Sequence, residues 1–203
     1  MPRKFDSQTL MAIGVLAVSF IALFISVRQT SIMSEQTRLL VEQNKASAWP
    51  HLEIGLSKGF AGNDQDGYKI TNFRIHIDNK GTGPAIVESV RVLYDGKAAT
   101  NWSSFFRLTN LPDSISGSHS NTTVNNSVIA ANDVVDMLNL KGNQPLMEYI
   151  YEHADQFSIE ICYKSVYDDH WTVTRNGLRS NLEQPKTLKV AGCTVNAGEH
   201  FME

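Results

Sequence analysis

The feature that most constrains this chain is an uncharged segment near its N-terminus. No residue between positions 7 and 27 carries a charge, and residues 10–25 are almost entirely apolar. A helix of about 20 apolar residues crosses a ~30 Å hydrocarbon layer, so the segment predicts a transmembrane helix at 9–27. The remaining residues are too polar and too irregular for a second crossing. We therefore expect a single-pass anchor followed by one water-soluble domain.

The apolar segment is predicted to stay in the membrane as a signal-anchor. Cleaved secretory signals have shorter apolar stretches, of about 7 to 15 residues, and a small-residue cleavage site, whereas no Ala-x-Ala site follows this one. Arg3 and Lys4 lie just before the segment, and Arg28 alone lies equally close behind it. Because basic flanks favour the cytoplasmic side, we expect residues 1–8 inside and the C-terminal domain outside the cytoplasmic membrane; the reverse topology remains the alternative.

A polar segment, residues 28–48, connects the anchor to the domain. It contains neither Gly nor Pro and is rich in helix-forming residues, so the helix is predicted to continue as a stalk until Trp49-Pro50, because proline disfavours helical geometry before it. Ile25, Ile32, Leu39 and Ala46 recur every seven residues. A coiled coil needs two apolar positions in each heptad, and here the second position is polar. The single apolar stripe therefore fits self-association and a helix of another membrane protein equally well.

Composition limits what the domain, residues 49–195, can bind. Residues 50–203 carry 13 basic and 18 acidic side chains, a net charge of −5. Nucleic-acid-binding surfaces have a basic stripe that replaces phosphate counterions, and this sequence has none. We therefore expect no nucleic-acid partner; the expected partners are the lipid bilayer and another membrane protein or a second copy.

Alternating apolar and polar residues predict strands throughout the domain. Asp95-Gly96 predicts a tight hairpin turn, the pattern slips by one residue near Glu88-Ser89, which predicts a bulge, and residues 113–127 predict an exposed loop. Short strands at this spacing favour a sandwich. We expect a mainly β fold, an antiparallel immunoglobulin-like β-sandwich with one or two short helical insertions. Predicted strands cover 51–56, 73–78, 85–94, 97–100, 128–130, 134–140, 157–163, 171–174 and 189–195; helices start at Asn101 and Pro145, the first closed by Pro112, and 196–203 form a frayed tail.

The chain has two cysteines, Cys162 on a predicted strand and Cys193 in the C-terminal segment. In an oxidising compartment they can form one disulfide, and in the cytoplasm they stay two thiols. The sequence leaves both states open. A bond would close a loop of about 30 residues and stabilise the domain by about 3–4 kcal/mol.

Two further segments carry a resemblance. Residues 79–85 read Asn-Lys-Gly-Thr-Gly-Pro-Ala after an early strand, and residues 163–171 read Tyr-Lys-Ser-Val-Tyr-Asp-Asp-His-Trp in a late hairpin. Together with the anchor they make the chain resemble a loose group of uncharacterised bacterial single-pass membrane proteins with a C-terminal immunoglobulin-like β-sandwich. The resemblance implies a bacterial origin and this architecture, and it transfers no catalytic residue.

Asp168-Asp169-His170 is the densest ionisable cluster, and a carboxylate beside an imidazole can bind a metal or move a proton. Adjacent strand residues point to opposite faces, however, so a solvated hairpin tip explains the cluster better. His51 and Glu53 share a strand face, but spacing supplies no third ligand for a metal site. We therefore assign no catalytic, metal-binding or cofactor-binding residue, and no cofactor.

Three weaker patterns have ordinary explanations. Gly81 and Gly83 lack the further glycines and the helix of a phosphate-binding loop, so they indicate turn geometry. Ser118 and Ser120 beside His119 lie in a loop without a scaffold for a nucleophile. Asn-x-Ser/Thr patterns, which matter only in a eukaryotic source, occur at Asn101, Asn121 and Asn125.

The sequence leads to two functional hypotheses. The first is a non-enzymatic protein-interaction module, an accessory or sensory subunit of a membrane complex, because a stalked sandwich offers edges and loops for protein contact. The alternative is an exported metal-assisted hydrolase that uses His170 with Asp168 or Asp169.

Overall fold

A computed structural model describes residues 6–64, 67–111, 115, 119–178, 185–194 and 198–203. The chain divides into two compact units, Met1–Ala46 and Ser47–Glu203.

The first unit is one continuous α-helix, α1 (Ser7–Ser47), of 41 residues. At 1.5 Å per residue it is about 60 Å long, and none of its residues is buried. Its apolar part is long enough to cross a membrane. This confirms the predicted long apolar N-terminal helix as a candidate membrane span or signal anchor, and its last residue confirms the stop before Trp49-Pro50.

In its described residues the second unit consists mainly of antiparallel strands, with two short α-helices and one 3₁₀ helix (Ala154–Gln156). The strands are β1 (Leu52–Asn63), β2 (Gly67–Asn79), β3 (Ala85–Tyr94), β4 (Lys97–Ala99), β5 (Ser120–Asn121), β6 (Val128–Ile129), β7 (Val134–Lys141), β8 (Phe157–Lys164), β9 (His170–Asn176) and β10 (Lys186–Val190); the α-helices are α2 (Trp102–Leu108) and α3 (Gln144–Glu152). One sheet has the strand order β1-β2-β7-β5, and the other has the order β10-β9-β8-β3-β4, with β6 paired to β3. A long apolar helix followed by antiparallel sheets is therefore confirmed.

Side-chain alternation places one apolar core between the two sheets. On β8 the alternate residues Phe157, Ile159 and Ile161 are buried, and Val173 lies opposite Ile161 on β9. Ile54 and Ile75 fill the same core from the first sheet. The gap that the sheets enclose beside Trp102 is too small to hold a water molecule, so this part of the core is filled by side chains.

Local signals placed most turns and caps correctly. Asp95 and Gly96 have φ values of 48° and 73°, as a two-residue turn with both central residues at positive φ requires, and the β3–β8 register shifts between Val87 and Ser89, as predicted. Asn101 caps α2 through a hydrogen bond from the Ser104 amide. Pro112, the predicted end of that helix, lies outside the described residues.

Among the differences from the sequence-based expectation, three concern segments that pair with distant parts of the chain. Within the predicted loop, β5 pairs with β7 and Val124 is buried. The last strand in the described residues, β10, starts three residues before the predicted strand, ends five residues before it, and pairs with β9. The predicted frayed tail is also not seen in its described part, since Phe201 is fully buried. Each difference depends on contacts with residues distant in sequence, which local periodicity does not report.

Tyr163 joins the two sheets through a buried hydroxyl, which accepts a hydrogen bond of 3.3 Å from the Leu52 amide. Burial raises the pKa of Tyr163 to about 12, and the Leu52 bond opposes that rise. The unfolded chain ionises this phenol near pH 10. Stability from this group is therefore fully present below pH 10 and is lost as the pH rises toward 12.

We expect Tyr163→Phe to reduce the loss of unfolding free energy at alkaline pH. Two pKa units correspond to about 2–3 kcal/mol, so the full-length chain in detergent should lose about that much unfolding free energy more than the variant does between pH 10 and 12. Urea unfolding at a series of pH values measures the difference. Tyr68→Phe, at an exposed site, is the control; equal alkaline slopes for all three proteins would contradict the assignment.

Candidate functional site

The predicted Asp168-His170 region forms a cluster of four charged or titratable side chains on the second sheet. Lys164 Nζ lies 2.8 Å from Glu88 Oε1 and 3.0 Å from Asp168 Oδ1. His170 Nε2 lies 3.4 Å from Glu88 Oε2 and 4.0 Å from Asp168 Oδ1. The cross-strand pair Lys164–His170 and the β3 bulge bring these groups together. We call these four residues the Lys164 cluster.

The ammonium group of Lys164 already occupies the position between the two carboxylates. Its hydrogen bonds, first to Glu88 and then to Asp168, raise the pKa of Lys164, and Lys164 in turn holds the pKa of Asp168 below its usual range. A cation bound between the carboxylates would have to displace this ammonium. The geometry therefore favours a structural ion-pair network over the metal-assisted hydrolase site.

The three adjacent residues of the predicted cluster do not converge on one point. Asp168 is at positive φ, 63°, and its side chain is 74% exposed, as expected for a solvated turn. Asp169 instead pairs with Lys189 at 2.8 Å. His170 differs from the expectation of a solvated tip, because it begins β9 and its side chain is only 13% exposed.

The second predicted pair, His51 and Glu53, lies on the outer face of the first sheet. His51 Nε2 is 3.5 Å from Glu53 Oε1, and Lys80 also pairs with Glu53. On β2, the His76 ring packs directly against Gly55. A Cβ added to Gly55 would lie 2.2 Å from His76 Nε2. Burial lowers the pKa of His76 and outweighs the opposing charge of Asp78. Among the described residues, no three His, Cys, Asp or Glu side chains form a group that could hold a metal ion.

The loop with Gly81 and Gly83 holds the first residues of the domain rather than a phosphate. Thr82 N and Gly83 N both donate to Trp49 O, at 2.9 and 3.2 Å, and Lys80 N donates to His51 O. A Cβ on Gly81 would lie 2.3 Å from Trp49 O. The glycines are therefore required for close approach of two backbone segments.

Asn79 fixes this loop from inside. Its buried side chain donates to Gly83 O and Ile129 O, at 2.9 and 3.0 Å, and accepts from the His51 and Gly81 amides, at 3.2 and 3.1 Å. All four hydrogen-bonding positions of the amide are used. Asn79 is thus the structural centre of the segment that carried the family resemblance.

The serines beside His119 and the Asn-x-Ser/Thr patterns form no site in the described residues. Ser118 lies outside them, Ser120 is part of β5 and bonds the Asn139 carbonyl, and the His119 ring packs against Phe106. Asn101 caps a helix. Asn121 belongs to β5, and Asn125 is largely buried.

The cysteines form a disulfide, Cys162–Cys193, with the Cα atoms 5.7 Å apart. Cys193 lines a cleft of about 580 Å³ on the second sheet, together with Arg91, Glu199 and His200. Sequence reasoning missed this cleft, because it depends on the C-terminal segment folding back. The large apolar side chain of Phe201, in a segment predicted to be a frayed tail, is a local signal that could have indicated it.

The heptad stripe of the stalk is exposed in α1. The exposed fractions of Ile32 and Leu39 are 57% and 51%, and the stripe residue Ala46 is also exposed. On the neighbouring side Arg38 forms salt bridges with Glu35 and Glu42. The helix thus presents large apolar side chains at regular intervals beyond its uncharged segment.

No protein-family model matches this chain, and a search of curated proteins also finds no match.

Proposed function

We propose that this protein is a membrane-anchored, non-enzymatic protein-interaction module, an accessory or sensory subunit of a membrane complex. The observation that carries the proposal is the exposed apolar stripe of α1, which continues past the uncharged segment into the polar stalk. Burying one such Ile or Leu stabilises a complex by about 1.5–3 kcal/mol. A helix of another membrane protein, or of a second copy, would supply that contact.

The architecture that we propose for the domain is an immunoglobulin-like β-sandwich. Its sheet orders, β1-β2-β7-β5 and β9-β8-β3-β4, correspond to the A-B-E-D and G-F-C-C′ orders of such domains. β10 then extends the second sheet by one strand beside β9. Sandwiches of this kind commonly serve as binding modules, which supports the functional proposal by analogy of fold alone.

We further propose that the domain lies outside the cytoplasm of a bacterial cell, with α1 in the inner membrane. The Cys162–Cys193 bond supports this side, because disulfides persist in oxidising compartments. The basic residues Arg3 and Lys4 before the helix support it too. In intact cells, alkylation before reduction should leave both cysteines unmodified, and alkylation after reduction should modify both. Two freely reactive thiols would favour the cytoplasmic topology.

The test of the interaction function is a pair of double variants in the stalk. Ile32→Asp with Leu39→Asp places charge on the stripe, and Ser34→Asp with Thr37→Asp places the same charge on the roughly opposite side, at about 100° per residue. We expect the first variant to lower recovery of the detergent-extracted complex at least tenfold, because two apolar contacts are lost. The second should recover it normally.

Native mass spectrometry in mild detergent measures that recovery and separates a homo-oligomer from a complex with a foreign subunit. A wild-type chain that is extracted alone and monomeric would contradict the proposal. Equal loss in both double variants would also contradict it, because the stripe would then have no special role.

A further inference from the structure

The C-terminal residues complete the core of the domain. Phe201 is fully buried, and its ring centroid lies 5.0 Å from that of Trp102, with the ring planes 74° apart. Its amide donates to Val90 O at 2.8 Å, and the Met202 amide donates to Thr100 O at 2.9 Å. β4 pairs with β3 only from Val92 onward. The C-terminal residues therefore pair with β3 at Val90, where β4 does not reach. We call the position that Phe201 fills the Phe201 slot.

Polar contacts add to this attachment at two points. Glu199 pairs with Arg91 at 2.7 Å, and the Glu203 carboxylate accepts a hydrogen bond of 2.8 Å from the Trp102 amide. The Glu199–Arg91 ion pair is partly exposed and contributes little to stability, and the single hydrogen bond to Glu203 adds a modest contribution. The burial of Phe201 is therefore the main contact that holds residues 198–203 on the domain.

The disulfide holds the same part of the chain at its other end. Cys162 lies on β8, and Cys193 follows β10. β10 has five residues, and among the described strands it pairs with β9 alone. Without the disulfide, the described residues 186–194 would be held mainly by this short edge strand, and residues 198–203 by the Phe201 slot and the polar contacts of Glu199 and Glu203. The bond thus reinforces a segment whose other described attachments are few.

The position of Cys193 makes the bond accessible to a reductant. Cys193 is partly exposed and lines the cleft beside Arg91 and His200, whereas Cys162 is 5% exposed. An attacking thiolate can therefore reach the Cys193 sulfur more easily than the Cys162 sulfur, and access is one determinant of the rate of thiol–disulfide exchange.

We propose that the disulfide and the Phe201 slot form a redox-controlled latch. A dithiol protein of the thioredoxin class attacks Cys193 Sγ and forms a mixed disulfide, and Cys162 leaves as a thiolate that takes up a proton. The second thiol of the reductant then releases Cys193 as a thiol. The reductant is oxidised by two electrons to its own disulfide, and the latch bond is reduced to two thiols.

Reduction removes the covalent restraint on the C-terminal segment, so Phe201 leaves its slot in a larger fraction of the molecules and the slot is then uncovered. The uncovered surface has the Trp102 ring at its base and the backbone carbonyls of Val90 and Thr100 at its rim. An apolar slot beside free carbonyls is suited to an extended peptide with one large apolar side chain. Binding of such a peptide rests on the proposed interaction function, whereas opening of the latch does not.

The experiment is hydrogen exchange on the full chain in detergent, before and after reduction by a thioredoxin-class dithiol. We expect the Phe201 and Met202 amides to exchange about 100-fold faster after reduction, because the cross-link no longer restrains the open state of this segment. Amides in the β1–β2 hairpin should accelerate much less than those of Phe201 and Met202, because local opening of the C-terminal segment does not expose them. The Cys162→Ser/Cys193→Ser variant should match the reduced chain without any reductant.

A matched variant separates the contribution of Phe201 burial from the contribution of the disulfide. Phe201→Ala with the disulfide intact should also speed exchange at Met202, since the slot contact is lost. Unchanged exchange at Phe201 and Met202 in the reduced chain would overturn the proposal. So would failure of the dithiol to reduce the folded chain, or loss of protection across the whole domain on reduction, because the bond would then be inaccessible or simply structural. None of these results depends on the stalk variants that test the interaction function.

Discussion

Replacing Asn79 with alanine is expected to destabilise the domain by about 3–5 kcal/mol. The substitution removes four hydrogen bonds, three of them buried, and each buried group that is left unsatisfied costs about 1–3 kcal/mol. The affected groups belong to three segments, because His51, Gly83 and Ile129 all bond to this side chain. The cost is a large part of the 5–15 kcal/mol that holds a typical domain folded.

Urea unfolding of the full-length chain in detergent, followed by tryptophan fluorescence, measures this loss. Asn176→Ala is the matched control, because Asn176 is exposed and its side chain accepts a single bond from Ser158. It should change the unfolding free energy by less than about 0.5 kcal/mol. Similar values for the two variants would show that Asn79 does not have the central role described above.

Gly83→Ala is expected to cost about 3 kcal/mol, at the upper end of the range for overpacked sites. A Cβ at this position would lie 2.2 Å from Ala48 O and 2.3 Å from Ala48 C. Both are backbone atoms, so no side-chain rotation can relieve the overlap. The loop must move away from residues 48–51, which weakens the hydrogen bonds that Trp49 O accepts.

Gly192→Ala provides the comparison for Gly83→Ala, since no atom lies within 4 Å of its added Cβ. We expect the Gly192 variant to unfold at the wild-type urea concentration. Thermal unfolding followed by near-UV circular dichroism gives an independent reading of both variants. A wild-type-like Gly83→Ala variant would mean that the loop does not clamp the first residues of the domain.

The parts of the fold that could be predicted are those with a local signal. The apolar run predicted α1, Asp95-Gly96 predicted the hairpin turn between β3 and β4, and the alternation in β8 predicted which of its residues are buried. In each case the decisive residues are neighbours in sequence. The period of the pattern alone therefore determines the local conformation and the buried face.

The parts that could not be predicted depend on pairing between distant segments. Ser120 belongs to a strand because β7 lies beside it, and Phe201 is buried because β4 is too short to cover Val90. The same holds for the candidate site. Lys164 lies between Glu88 and Asp168 only through the β3–β8 register and its bulge, which no single segment encodes.

Lys189 on the edge strand β10 would affect how copies of the protein meet one another in a membrane. Lys189 lies opposite Trp171 on the same sheet face and stacks over its ring, 5.7 Å from the centroid, while it pairs with Asp169. Charged side chains on an edge strand hinder the addition of a further strand. Copies of an anchored protein, as proposed here, diffuse in a plane and collide often. Lys189 would then help to keep such collisions from growing into ordered aggregates.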